Sequence, residues 1–187
     1  GRCIGPIKRN ASILRSELSF ILRETTLPVK VTLPGPMTVA DSTADEFYHN
    51  EEQLAMDVAV ALNKEALELE QQGAAVIQFD EPVFSRYPEK VVSWGIKALD
   101  RCLEGLSTAK SAAHICYSYP MPGVPRPIVD SYPVILEALE SSKVDELALE
   151  FEASKLDPSL LRRCPSKTVL FGCIDNGTND IENPRDI

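Results

Sequence analysis

The chain has 187 residues, 44% hydrophobic and 25% charged, which is enough apolar material for one substantial core. Its net charge of -9 argues against nucleic acid and anionic membranes as partners. No apolar run is long enough to span a bilayer and the first residues do not read as a signal peptide; the five scattered cysteines are therefore expected to be reduced thiols in a cytoplasmic protein.

Taken in order, residues 2–5 ("RCIG") read as a short strand. Residues 11–24 follow as a helix, with Leu14, Leu18, Ile21 and Leu22 at helical spacing. "LPVKVTL" is a strand rich in β-branched residues, stopped by Pro34, Gly35 and Pro36. Residues 50–73 form a long helix with Leu54, Val58, Leu62, Ala66 and Leu69 on one stripe. Acids in its first turn and Gly73 at its end mark the start and stop. "AAVIQFDEP" is a strand that ends in charge, followed by a helix over 93–106 carrying Trp94, Leu99, Leu103 and Leu106. "SAAHICY" is the next strand, succeeded by a Pro-rich loop and a helix around "YPVILEALESS". A strand "DELALEFE", a short helix "DPSLLRR" and a strand "TVLFGCID" complete the order. Six strands alternating with helices predict a parallel α/β architecture.

Reactive residues gather at the predicted strand ends: Asp80 and Glu81, His114 and Cys116, Glu150 and Glu152, Cys173 and Asp175. Strand alternation puts His114 and Cys116 on one face, and an imidazole beside a thiol suits zinc. Taken alone, the pair reads rather as a hydrogen-bonded core histidine beside an inert thiol. Repetition on consecutive strands favours a site, because carboxyl ends of parallel strands are where such folds bind ligands. A closed eight-stranded barrel needs about 250 residues. Either the sheet is open, or the chain is a TIM-type (β/α)8 barrel present in part, about six strands of eight; the abrupt end after the last strand favours the second. Residues 1–187 would be one partial domain of a longer catalytic domain, an expectation supported by the lack of a helix after the last strand.

In order, "LPGPMTV", "IQFDEP", "HIC", "LALEFEASKLD" and "VLFGCID" resemble the catalytic domain of cobalamin-independent methionine synthase. The resemblance is strongest to the short single-domain relatives, within the superfamily that includes uroporphyrinogen decarboxylase, and runs over about residues 28–187. It implies a zinc ion held by His114, Cys116 and a glutamate on the next strand. Glu150 matches the family's strand pattern, whereas counting back from the following helix favours Glu152; alternation puts both on one face, and Glu150 is preferred. The family's fourth ligand, a cysteine, has no match. Where the methionine synthases carry a histidine ("DIHSPR"), this chain has Glu182 in "DIENPR".

The resemblance further implies that Asp80 binds the ammonium of homocysteine, with Glu81 in the same polar pocket. Bound zinc would ionise the substrate thiol, which has a free pKa of about 8.5, for attack on the methyl group of methyltetrahydrofolate or a corrinoid. The implied activity is a methyltransferase making methionine from small-molecule substrates. The competing expectations are a related thiol alkyl transfer to coenzyme M and a non-catalytic homologue. Thr38 and Asp41, in "LPGPMTV" and just after it, read as plain loop residues as readily as cosubstrate contacts.

Overall fold

The long helix, α3 (Glu51–Gln72), is bounded by chemistry visible in the sequence. The Asn50 side chain accepts from the Gln53 amide at its start, and Gly73 adopts φ 111° at its end, a left-handed cap that favours glycine. Its stripe of Leu54, Val58, Leu62, Ala66 and Leu69 is buried. The computed structural model describes residues 1–116, 130–175, 178–179, 181 and 183–185. Most of the predicted Pro-rich loop, and Glu182, lie outside the described residues.

The elements in chain order are β1 (Arg2–Cys3), α1 (Arg15–Glu24), β2 (Lys30–Pro34), α2 (Pro36–Asp41), β3 (Ala44–Asp45), α3, β4 (Val76–Asp80), α4 (Pro88–Lys90), α5 (Ile96–Cys102), β5 (Lys110–Ile115), α6 (Tyr132–Glu140), β6 (Glu146–Glu150) and β7 (Thr168–Gly172). A 3-10 turn (Pro82–Ser85) follows β4, and another (Pro158–Arg163) precedes β7. A wide π-type turn (Val91–Gly95) joins α4 to α5, so the helix predicted over 93–106 begins and ends earlier than its apolar spacing suggests.

Five strands form one parallel sheet in the order β2-β4-β5-β6-β7. Each strand is joined to its neighbour through a helical segment, and all carboxyl ends lie on one side. This is an incomplete (β/α)8 barrel. The sixth predicted strand is not in it: β1 pairs instead with the two-residue β3, in parallel, Arg2 against Ala44 and Cys3 against Asp45. Composition marks a strand but does not choose its neighbour, so the sequence reading placed β1 in the wrong sheet and missed β3. It also missed α2, whose opening Pro36 is a suitable first helical residue.

Alternation divides the sheet into two faces. Val31, Leu33, Ile77, Phe79, Ala113, Ile115, Leu147 and Leu149 are buried in the core. The opposite face carries Lys30, Thr32, Gln78, Asp80, His114, Glu146 and Glu150, all exposed or half-buried. In barrel terms this second face is the interior.

Helix α1 begins four residues later than the predicted start because Glu65 on α3 claims the preceding turn. Glu65 Oε1 accepts from the Ser12 hydroxyl at 3.1 Å and from the amides of Ile13 and Leu14 at 2.8 and 2.9 Å. Its other oxygen pairs with Arg9 at 2.7 Å. Those amides are engaged by a carboxylate and so do not need a further helical turn to precede them.

Candidate active site

The parallel register brings the predicted residues into line across the sheet. Asp80 at the end of β4 lies beside His114 on β5, and Glu150 at the end of β6 lies beside Gly172 on β7. On the interior face their side chains form a row of polar groups. Lys30 Nζ donates to Gln78 Oε1 at 3.2 Å, and Gln78 Nε2 donates to Asp80 Oδ1 at 2.9 Å. The same Asp80 oxygen stands 3.2 Å from His114 Nδ1. Two residues beyond His114 on the same face, the Cys116 Sγ lies 3.9 Å from Glu150 Oε2. The bonds to Asp80 and Cys116 raise His114 to about 9, against the opposing effect of burial.

The structure therefore brings together Asp80, His114, Cys116 and Glu150. It separates Glu150 from Glu152: the latter lies past the end of β6, where its carboxylate pairs with Lys155 and its amide donates to the Gly172 carbonyl. Cys173 follows β7 and is half-buried, as is Asp175 two residues on.

Glu81, expected in the same polar pocket as Asp80, stands apart from this group. One residue after Asp80, it falls on the helix side and is fully buried. There it caps α2: Oε1 accepts from the Met37 amide at 2.9 Å, and Oε2 from the Thr38 amide at 2.9 Å and hydroxyl at 2.7 Å. Burial pushes its carboxyl up to about 7, with these three donors pulling the other way. Thr38 is thus engaged with Glu81, while Asp41 stands 3.5 Å from Arg86. Strand alternation turns adjacent residues to opposite faces, which is what separates Glu81 from Asp80.

Among the described residues, no group of three His, Cys, Asp or Glu side chains stands at metal-holding geometry. The donors are strung along the strand ends rather than gathered about a point. Their chemistry still fits zinc. Imidazole, thiol and carboxylate are its ordinary ligands, and tetrahedral bond lengths put sulfur and oxygen about 3.5 Å apart, near the 3.9 Å found between Cys116 and Glu150. Asp80 against the imidazole is the outer carboxylate that zinc-binding histidines usually have. His114, Cys116 and Glu150 are the residues able to hold such an ion.

Fold and strand-end cluster together define the chain as an α/β barrel-type domain with a polar site where catalytic sites of that fold lie. Its residues 5–186 match the model of the "Cobalamin-independent synthase, Catalytic domain" family, and the chain belongs to that family. It is 28% identical over 186 residues to a methionine synthase of Thermococcus kodakarensis, covering 98% of this chain and 51% of that protein. A methionine synthase of Saccharolobus islandicus is 32% identical over 161 residues, 85% of this chain and 44% of the relative. Among solved structures, a B12-independent methionine synthase from Shewanella sp. W3-18-1, in complex with selenomethionine, superposes with a TM-score of 0.89 at 37% identity. The match covers 97% of this chain and 55% of that one. The chain thus spans about half the length of the relatives it matches.

Proposed function

We propose that this chain carries the zinc-binding part of a methyltransferase that moves a methyl group from 5-methyltetrahydrofolate, or a corrinoid donor, to the thiol of homocysteine, making methionine. The observation that carries the reading is the alignment of Asp80, His114, Cys116 and Glu150 at the carboxyl ends of β4, β5 and β6, with Asp80 3.2 Å from His114 and Cys116 3.9 Å from Glu150. Family membership and the selenomethionine held by the Shewanella relative, a selenium analogue of the product, support it. Residues 1–187 are read as one partial barrel domain within a longer catalytic domain, acting in the cytoplasm.

In this reading His114, Cys116 and Glu150 hold zinc, which when bound keeps the homocysteine thiol ionised at neutral pH. Asp80 orients the imidazole through Nδ1 and presents the negative charge that pairs with the ammonium of homocysteine. Glu81 acts beneath the site, fixing the turn between β2 and α2.

Zinc content and homocysteine binding, measured on purified variants, test the reading. Cys116→Ser should lose most zinc, because a hydroxyl is a far poorer donor than a thiolate. Asp80→Asn should still fill with zinc when metal is in excess, yet bind homocysteine about tenfold or more weakly, the loss of one charge-assisted contact. Undiminished zinc in Cys116→Ser, or undiminished homocysteine affinity in Asp80→Asn, would remove the corresponding role.

A further inference from the structure

Three consecutive carbonyls, from His114 to Cys116, each accept a hydrogen bond from another segment of the chain. The Glu81 amide donates to the His114 carbonyl at 2.8 Å. The buried Tyr132 hydroxyl donates to the Ile115 carbonyl at 3.2 Å, and the Ser85 hydroxyl, which shares its single proton with the Pro82 carbonyl at 2.9 Å, reaches the Cys116 carbonyl at 3.1 Å. Cys116 lies one residue past β5, beyond its paired register. Its position therefore depends on these holds.

Tyr132 makes a second contact that links two strands. Its ring meets Phe151 edge-on, with centroids 6.0 Å apart and planes at 86°. Phe151 is the residue directly after Glu150, and both rings are only 1% exposed. One rigid side chain thus holds the peptide carbonyl just before Cys116 and packs on the residue just after Glu150. Tyr132 is itself well fixed: it opens α6 and is followed by Pro133, whose ring suits the first helical turn. A phenylalanine would fill the same volume. The hydroxyl, which a buried tyrosine must pair, is directed at the strand end.

We propose that Tyr132 is a positioning residue that sets the spacing between the Cys116 thiol and the Glu150 carboxylate, with Ser85 fixing the carbonyl of Cys116. The inference rests on the zinc reading above and deepens it. Zinc tolerates ligand distances only within about 2.0 to 2.3 Å, so a strand end free to shift by a few tenths of an ångström is a poorer site. Groups that orient zinc ligands from behind typically govern 10- to 100-fold in affinity.

The test compares Tyr132→Phe with Ile77→Val, a mild core change at the opposite end of β4. The readouts are zinc affinity by chelator competition, the absorption spectrum of bound Co²⁺, and thermal unfolding of the metal-free protein. Tyr132→Phe should weaken zinc about 10- to 100-fold and alter the Co²⁺ spectrum. Ile77→Val should lower the unfolding temperature while leaving both metal readouts unchanged. Wild-type affinity and spectrum in Tyr132→Phe would overturn the inference and leave the zinc reading standing. Ser85→Ala supplies the same comparison at the next carbonyl if the phenylalanine variant does not fold. Wild-type protein that binds no zinc would overturn both together.

Discussion

Gly35 and Glu81 compete for one small space, and the glycine yields it. A Cβ on Gly35 would lie 2.2 Å from Glu81 Cδ and 2.4 Å from Oε1. That carboxylate cannot easily swing away, because it is fully buried and holds the first amides of α2. Gly35→Ala should therefore destabilise the protein by about 1–3 kcal/mol, the usual cost of overpacking. A urea midpoint equal to that of the wild type would show that Glu81 is free to move. The arrangement of the candidate residues was legible at this scale as far as alternation reaches: it places His114 with Cys116 and, one residue beyond Asp80, turns Glu81 to the core. The contact between Asp80 and His114 was not legible, since it depends on which strands are neighbours and in what register. Tyr132 and Ser85 gave no signal either, because a hydroxyl bonded to a distant carbonyl leaves no mark in local sequence.

Among the elements, α3 was the clearest in the sequence, with both caps and the apolar stripe explicit, whereas the start of α1 was hidden. The reason is Glu65, a mid-helix residue 51 positions from the Leu14 amide it binds. Burial pushes the Glu65 carboxyl up, but the Leu14 amide, Arg9, the Ile13 amide and the Ser12 hydroxyl outweigh it and hold it below the ordinary 4.5. A depressed carboxylate binds its proton less readily in the folded state than in the unfolded one. Its contribution to stability is therefore fully present above about pH 4.5, the unfolded value, and is lost as pH falls through the lower folded value. Glu70 on the same helix has the same sign: against burial, the amides of Ala109, Ser107 and Thr108 hold it down. Glu65→Gln should cost about 1–3 kcal/mol near neutral pH, since it weakens the charge-assisted bonds that hold the Ser12–Leu14 turn, while Arg9 keeps its second partner, Glu68. It should also flatten the decline of stability below pH 4.5. Urea midpoints measured from pH 3 to 7 on both proteins check this, and parallel curves would count against it.

At the scale of the whole molecule, alternating strands and helices made the parallel architecture legible, whereas the small β1–β3 sheet and α2 were not. What the sequence could not convey is how unequally the sheet is covered. The two edge strands differ: β2 buries Val31 and Leu33 at 7% and 1% exposure, while β7 leaves Leu170 and Phe171 at 41% and 40%. On its core side β7 offers only half-buried Val169 and the largely open Phe171, whose ring leans on Phe151. The central strands β4 and β5 are bonded on both sides and pack fully buried residues, Ile77, Phe79, Ala113 and Ile115, against the helices. Opening β4 or β5 would expose that core and break two ladders, so their amides should exchange only through global unfolding. Opening β7 breaks a single ladder and exposes little that is not already in water, and β1 with β3 shares only two paired residues. Sub-global opening follows local burial in this way. Hydrogen exchange of the 187-residue chain should show α3, β4 and β5 protected longest, β2 and β6 next, and β7 and the β1–β3 pair first to exchange. Amides of β7 as slow as those of β4 would mean that the sheet opens as one unit, and that uneven burial does not divide it.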